Sequence, residues 1–164
     1  MSVIIVNEIK VNNILNKIKT DGASKLHIVA DFDNTLTKAY LNGDKFQSAM
    51  AQIRQGNYLS KDYSDKAYAL FNKYNPIELD PNISAQEKDK YMIEWWTTHL
   101  DLQVASGMNK DVLHSIINNK RIVLRDKAKE FFEISNSKDI PVLIISAGLG
   151  DLIVMLLEDK GVYF

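Results

Sequence analysis

An α/β fold built on parallel strands is predicted by three features of this 164-residue chain. Residues 26–30 (LHIVA) and 140–145 (IPVLII) are short, almost wholly apolar runs, the pattern of strands covered on both faces. A helical stretch over residues 125–137 precedes the second run and can pack on a sheet as a crossover. Both runs end in polar residues, DFDNT and SAG. In parallel folds chemistry gathers at the C-terminal ends of the strands.

Each element follows from its own pattern. Residues 7–20 space Ile9, Ile14, Leu15 and Ile18 at helical intervals, and Asp21-Gly22 stops them. Strand 26–30 comes next. From residue 44 to about 118 the pattern is helical almost throughout. One helix over 45–54 ends at Gln55-Gly56, and another over 60–74 ends at Asn75-Pro76. Leu79-Asp80-Pro81 makes a turn, and Ser84 with Glu87 forms a capping box for a helix through Tyr91, Met92, Trp95 and Trp96. A shorter helix over 109–118 carries Val112, Leu113 and Ile116. The crossover helix turns Ala128, Phe131, Phe132 and Ile134 inward, and after strand 140–145 an amphipathic helix spans 152–160.

Composition narrows the function classes. Hydrophobic residues make up 46% and charged residues 25%, a soluble globular balance. The formal net charge of −1 supplies no basic field for nucleic acid or an anionic membrane, and no apolar run has the length of a membrane span. The absence of cysteine excludes disulfides and thiolate metal sites. With no basic leader at the N-terminus, the expectation is a cytoplasmic protein.

Two acids one residue apart at the end of a buried strand repel each other and are costly to dehydrate. Asp31 and Asp33 therefore suit a hard divalent cation such as Mg2+, the usual partner of phosphate. Thr35 could orient a carboxylate or a phosphate oxygen. A calcium loop of the EF-hand type needs glycine at its sixth position and glutamate at its twelfth, where this chain has Leu36 and Asn42, so that reading fails. At the other strand end Ser146 offers a hydroxyl, Ala147 and Gly148 offer backbone N–H groups, and the next helix aims its positive end at them. One end suits a metal and a nucleophile, the other an anion. Phosphoryl chemistry is the simplest reading.

DFDNTLT resembles the first signature of the haloacid dehalogenase superfamily, D-x-D-x-T after a buried strand, and SAG fits its second. The stretches FNKYNPIELDPNISAQEKDKYMIEWW and IPVLIISAGLGDLIVMLLEDKGVY are similar to the cytosolic pyrimidine 5'-nucleotidases (type III cytosolic nucleotidases). The resemblance runs from about Leu26 to the last residue. It implies a Rossmann-like core over 1–42 and 126–164, with a helical cap inserted at 43–125. It also implies that Asp31 is the nucleophile, forming an aspartyl-phosphate, and that Asp33 is the general acid and base. Mg2+ would be held by the Asp31 carboxylate and the Asp33 backbone carbonyl. Ser146 and Ala147, with Gly148, would bind phosphate. The implied substrate is a pyrimidine nucleoside 5'-monophosphate, with a modified purine nucleotide as an alternative.

The resemblance places Glu78 where the family recognises the base edge, and a carboxylate there favours bases presenting an amino donor. By itself Glu78 reads as a solvated turn acid. The family has serine where this chain has His99, a departure at a substrate-contacting position. Trp95 and Trp96 read as one core and one partly exposed aromatic, with Trp96 able to face a base. His27 reads as a packed histidine and His114 as a surface one. No histidine pair has zinc-ligand spacing.

In the family a lysine and an acidic pair follow SAG on later core strands, whereas these 164 residues end at Phe164. The expectation is a core lacking its C-terminal part, with an exposed sheet edge open to self-association and little turnover by this chain alone. A non-catalytic phosphate-binding or self-associating module is the alternative to an enzyme.

Overall fold

The computed structural model describes residues 4–41, 43–46 and 48–163. Helix α1 (Glu8–Asp21) begins where the Asn7 side chain accepts a hydrogen bond from the Lys10 amide and ends at Gly22, whose φ of +76° suits glycine. None of its residues is buried, so the stripe of Val11, Ile14, Leu15 and Ile18 packs on nothing deep. The first strand, β1 (Ile28–Ala30), is followed by a tight loop and a short antiparallel hairpin, β2 (Tyr40–Leu41) with β3 (Asp44–Lys45). Sequence periodicity missed this hairpin, because two-residue strands are too short to show alternation.

The helical series is α2 (Ala49–Gln55), α3 (Tyr63–Leu79), α4 (Ala85–Ala105) and α5 (Lys110–Asn118). Helix α2 begins four residues later than the periodicity suggests, at the Ser48 side chain, which accepts from the Ala51 amide. Pro76 does not stop α3 but lies inside it. A proline so near the helix end removes one backbone bond in the last turns, and packing of α3 along α4 holds the helix through it. Tyr74 of α3 stacks on Trp95 of α4, ring centroids 5.7 Å apart. The serine half of the expected capping box forms: Ser84 Oγ accepts from the Glu87 amide at 3.2 Å. Helix α6 (Ala128–Ser137) buries Ala128 and Phe132, half-buries Phe131 and leaves Ile134 exposed, so the inward face is narrower than expected. The last elements are β4 (Val142–Ile144) and α7 (Gly150–Asp159).

Strands β1 and β4 pair in parallel with Ile28 opposite Val142, Val29 opposite Leu143 and Ala30 opposite Ile144. Ala30, Val142 and Ile144 face the core, where Phe32, Ile53, Ile116, Phe132, Leu152 and Leu156 form one buried cluster. The opposite face is bare: Val29 is 56% exposed, Leu143 58% and Ile145 61%. The expectation of strands covered on both faces therefore holds for one face only. An apolar run records which residues can be buried, not whether a covering layer is present. His27, expected in the core, is exposed at the residue before β1, and His114 is exposed as expected.

Candidate active site

The two polar strand ends lie side by side. The last rung of the sheet pairs Ala30 with Ile144, and the Ile145 amide donates to the Ala30 carbonyl at 2.9 Å. Asp31 and Ile145 are the next residues out of this rung, on neighbouring strands that run the same way, and Ser146 follows Ile145. Sheet spacing between such strands is about 4.8 Å.

After β1 the chain folds into a loop over Phe32, which is buried, with the Thr37 amide donating back to the Phe32 carbonyl at 3.1 Å. Asn34 sits at φ +62°, a left-handed conformation that asparagine tolerates better than most residues. This turn sends Asp33 inward and keeps Asp31 exposed. Thr35 Oγ1 donates to Asp31 Oδ2 at 3.3 Å, while Asp33 Oδ1 accepts from the Ala49 amide at 3.3 Å. Burial raises the Asp33 pKa, and the neighbouring charge of Asp31 raises it further, against the lowering effect of the Ala49 N–H. Among the described residues no lysine, arginine or histidine forms an ion pair with either acid. Two crowded carboxylates without a cationic partner fit a hard divalent ion. The described residues hold no group of three or more His, Cys, Asp or Glu able to bind a metal.

At the second strand end the Gly148 amide donates to Ser146 Oγ at 3.1 Å. The hydroxyl accepts there, so its own proton is free to be given to an anion. Helix α7 begins two residues later and directs its N-terminal partial charge toward the turn. Ser146, Ala147, Gly148 and Leu149 form one wall of a cavity of about 440 Å³. Met50 and four residues of α4 form the other: Trp96, His99, Leu100 and Gln103.

Those α4 residues recur at i, i+3, i+4 and i+7, so one helix face meets the S-A-G turn. His99 is 2% exposed; its Nε2 lies 3.0 Å from the Tyr63 hydroxyl, and its Nδ1 is buried without a partner. Burial first, and the positive Arg54 second, lower its pKa and keep the ring neutral. Gln103 Nε2 donates to the Tyr63 hydroxyl at 3.4 Å. Trp96 stacks on His99 at 6.2 Å and on the buried Trp95 at 5.6 Å, and remains partly open to the cavity.

The cavity thus brings His99 together with Ser146, Ala147 and Gly148, and strand pairing brings the loop that begins at Asp31 out at the same end of the sheet as that turn. Glu78 is not on this wall. It is exposed on the last turn of α3, where Asn75 Nδ2 donates to its carboxylate at 3.2 Å and Lys88 Nζ to its backbone carbonyl at 2.7 Å. Met50, Leu100 and Gln103 escaped the sequence reading, although the helical spacing from Trp96 and His99 points to Leu100 and Gln103. Ala49 escaped it too, since a backbone donor leaves no trace in residue identity.

A parallel sheet with D-x-D-x-T leaving one strand and S-A-G the next defines a haloacid-dehalogenase-like α/β protein, and comparison with known proteins narrows the class. Residues 34–164 match the family model for pyrimidine 5'-nucleotidase (UMPH-1), and the chain belongs to that family. It is 34% identical over 149 residues to 7-methylguanosine phosphate-specific 5'-nucleotidase A of Xenopus laevis, covering 91% of this chain and 51% of that protein. The corresponding enzyme of Drosophila melanogaster is 33% identical over 154 residues, covering 93% and 48%. The crystal structure of cytosolic 5'-nucleotidase IIIB bound to cytidine matches with a TM-score of 0.87 and 32% identity, over 98% of this chain and 54% of that one. The chain spans about half the length of the relatives it matches. Among the described residues no helix is long and apolar enough to cross a membrane.

Proposed function

We propose that this chain carries the nucleophile, acid and phosphate-binding turn of a cytosolic Mg2+-dependent 5'-nucleotidase, acting on nucleoside 5'-monophosphates. The observation that carries the reading is the register of Ala30 with Ile144, which delivers the D-x-D loop and the S-A-G turn to one edge of the sheet. The cavity behind that edge, with an indole on one side, suits a flat base. Pyrimidine monophosphates follow from the family, and 7-methylguanosine monophosphate from the names of the relatives.

In this reading an Asp31 carboxylate oxygen attacks phosphorus and forms an aspartyl-phosphate, while the nucleoside O5' leaves with a proton from Asp33. A raised Asp33 pKa favours its holding that proton. Asp33 then takes a proton from the water that attacks phosphorus, which releases phosphate and restores Asp31. Ser146 Oγ and the Ala147 N–H hold the phosphate oxygens, and Thr35 holds Asp31 in line. Mg2+, bound by the Asp31 carboxylate and the Asp33 backbone carbonyl, would neutralise phosphate charge. Residues 43–125 act as the cap over a core formed by 1–42 and 126–164. His99 lines the base side of the cavity, and Glu78 would reach the base only on movement of the cap.

The test is phosphate release from CMP, UMP and 7-methylguanosine 5'-monophosphate at high protein concentration, with and without Mg2+. Slow, Mg2+-dependent release that disappears in Asp31→Asn is expected. Equal activity of Asp31→Asn, or neither release nor binding of any of the three, overturns the reading.

The bare sheet face of Val29, Leu143 and Ile145 favours a second reading, a self-associating phosphate-binding module. It predicts oligomers by light scattering, with phosphate bound and no turnover.

A further inference from the structure

The loop between Asp33 and Thr35 is gripped from a distant part of the chain. Arg125 Nη2 donates to the Asn34 carbonyl at 2.6 Å, across 91 positions of sequence. On the other side of the same residue the Asn34 amide donates to Thr37 Oγ1 at 2.9 Å. Both polar groups of one left-handed residue are therefore held, and that residue sits directly between the acid and the threonine that touches Asp31. Arg125 belongs to the strand-like return from the helical segment, which is itself anchored to the loop's exit. The Lys38 amide donates to the Val123 carbonyl at 2.8 Å, the Arg125 amide to the Leu36 carbonyl at 2.9 Å, and Thr37 bridges to Leu124. The outgoing chain grips the loop too, through the Ala49 amide on Asp33.

We propose that Arg125 is a positioning residue: its guanidinium clamps the Asn34 carbonyl and so fixes the Asp33 backbone carbonyl and carboxylate for metal and substrate. Together with Ala49, it makes both passages between core and helical segment report to the acid loop. The inference rests on the nucleotidase reading for its consequence, but the clamp can be tested without it. A hydrogen bond from a guanidinium is among the stronger ones, and Arg125 is exposed and forms no ion pair among the described residues. Removing its donors leaves the backbone anchors of residues 123 and 125 in place, so the loop loses only the clamp.

The experiment compares the 164-residue chain with Arg125→Met, which keeps the stem, and Arg125→Lys, which keeps one donor. Amide exchange of residues 32–37 is followed without metal, and Mg2+ and inorganic phosphate binding are followed by calorimetry. In Arg125→Met, faster exchange at Asn34 and Thr35 is expected, with Mg2+ affinity down about tenfold to a hundredfold, the usual effect of losing an outer partner of a metal site. Arg125→Lys recovers part of both, and the melting midpoint barely moves. Unchanged exchange overturns the clamp, and if Mg2+ still binds normally the nucleotidase reading survives that failure. A loss confined to phosphate affinity also overturns it, since Arg125 then touches the anion directly. Faster exchange in a protein whose parent binds no Mg2+ upholds the clamp and removes the nucleotidase reading instead.

Discussion

Asp33 Oδ1 accepts a hydrogen bond from the Ala49 amide at 3.3 Å, tying the inner acid of the D-x-D pair to the first residue of α2. That bond stabilises a carboxylate which burial and Asp31 otherwise disfavour, and the disfavouring effects win. The stability consequences follow from the sign. The folded-state pKa lies above the ordinary value of 3.8, so the contribution is fully present below that pH and is lost as pH rises through the higher folded value.

Asp33→Asn keeps an oxygen to accept from Ala49 and removes the charge. Its melting midpoint at pH 7 should exceed the parent's by on the order of 1–3 °C. The gap should close on acidification below 3.8, where the parent acid is protonated in both states. Saturating Mg2+ should raise the parent's midpoint and leave that of Asp31→Asn unmoved. Thermal melts across a pH and Mg2+ series check all three statements.

His99 titrates in the opposite sense. Its folded pKa lies below the ordinary 6.5, so stability is complete above that pH and declines as pH falls through 6.5 toward the depressed value. His99→Gln, which cannot titrate, should flatten the pH dependence of the melting midpoint below pH 6.5. A parent curve with no such slope would show that the ring is protonated freely in the folded chain.

Tyr63 is 1% exposed and its hydroxyl meets both His99 and Gln103. Tyr63→Phe leaves two buried side chains short of a partner and should cost about 1–3 kcal/mol in urea unfolding. It should also loosen the cavity wall, seen as a change in Trp96 fluorescence.

Lys127 stands at φ +67° at the start of α6 with its side chain exposed. Glycine removes the penalty for that conformation, so Lys127→Gly should stabilise the chain by up to about 1 kcal/mol, less the greater entropy glycine has when unfolded. By contrast Ile116→Ala, at a fully buried site, should cost about 2–5 kcal/mol, while Ile134→Ala on the exposed side of α6 should stay within about 0.5 kcal/mol.

Leu143→Lys places a charge on the bare sheet face, where the side chain is 58% exposed. The monomer's melt should change little, and any oligomer seen by light scattering for the parent should dissociate. Persistence of the oligomer would locate its contact elsewhere.

Local chemistry explains what could be read without coordinates. The cap at Ser84 satisfies an amide three residues on, a relation contained within four residues of sequence. The acids Asp31 and Asp33 stood out because charge at the end of an apolar run is costly wherever the rest of the chain lies. Pro76 misled because its local cost is real but small beside the packing of α3 on α4. Ile134 misled because helical spacing marks a face as apolar without saying how wide its partner is.

Residue order alone determined that two apolar strands end in a D-x-D loop and an S-A-G turn, and that a helical segment intervenes. Only the tertiary structure decided that Ala30 pairs with Ile144, that Trp96, His99 and Gln103 face Ser146, and that Arg125 grips Asn34. The first kind of fact rests on the energetics of a few neighbouring residues. The second depends on which surfaces the whole chain finds cheapest to bury together, and no window of sequence contains that sum.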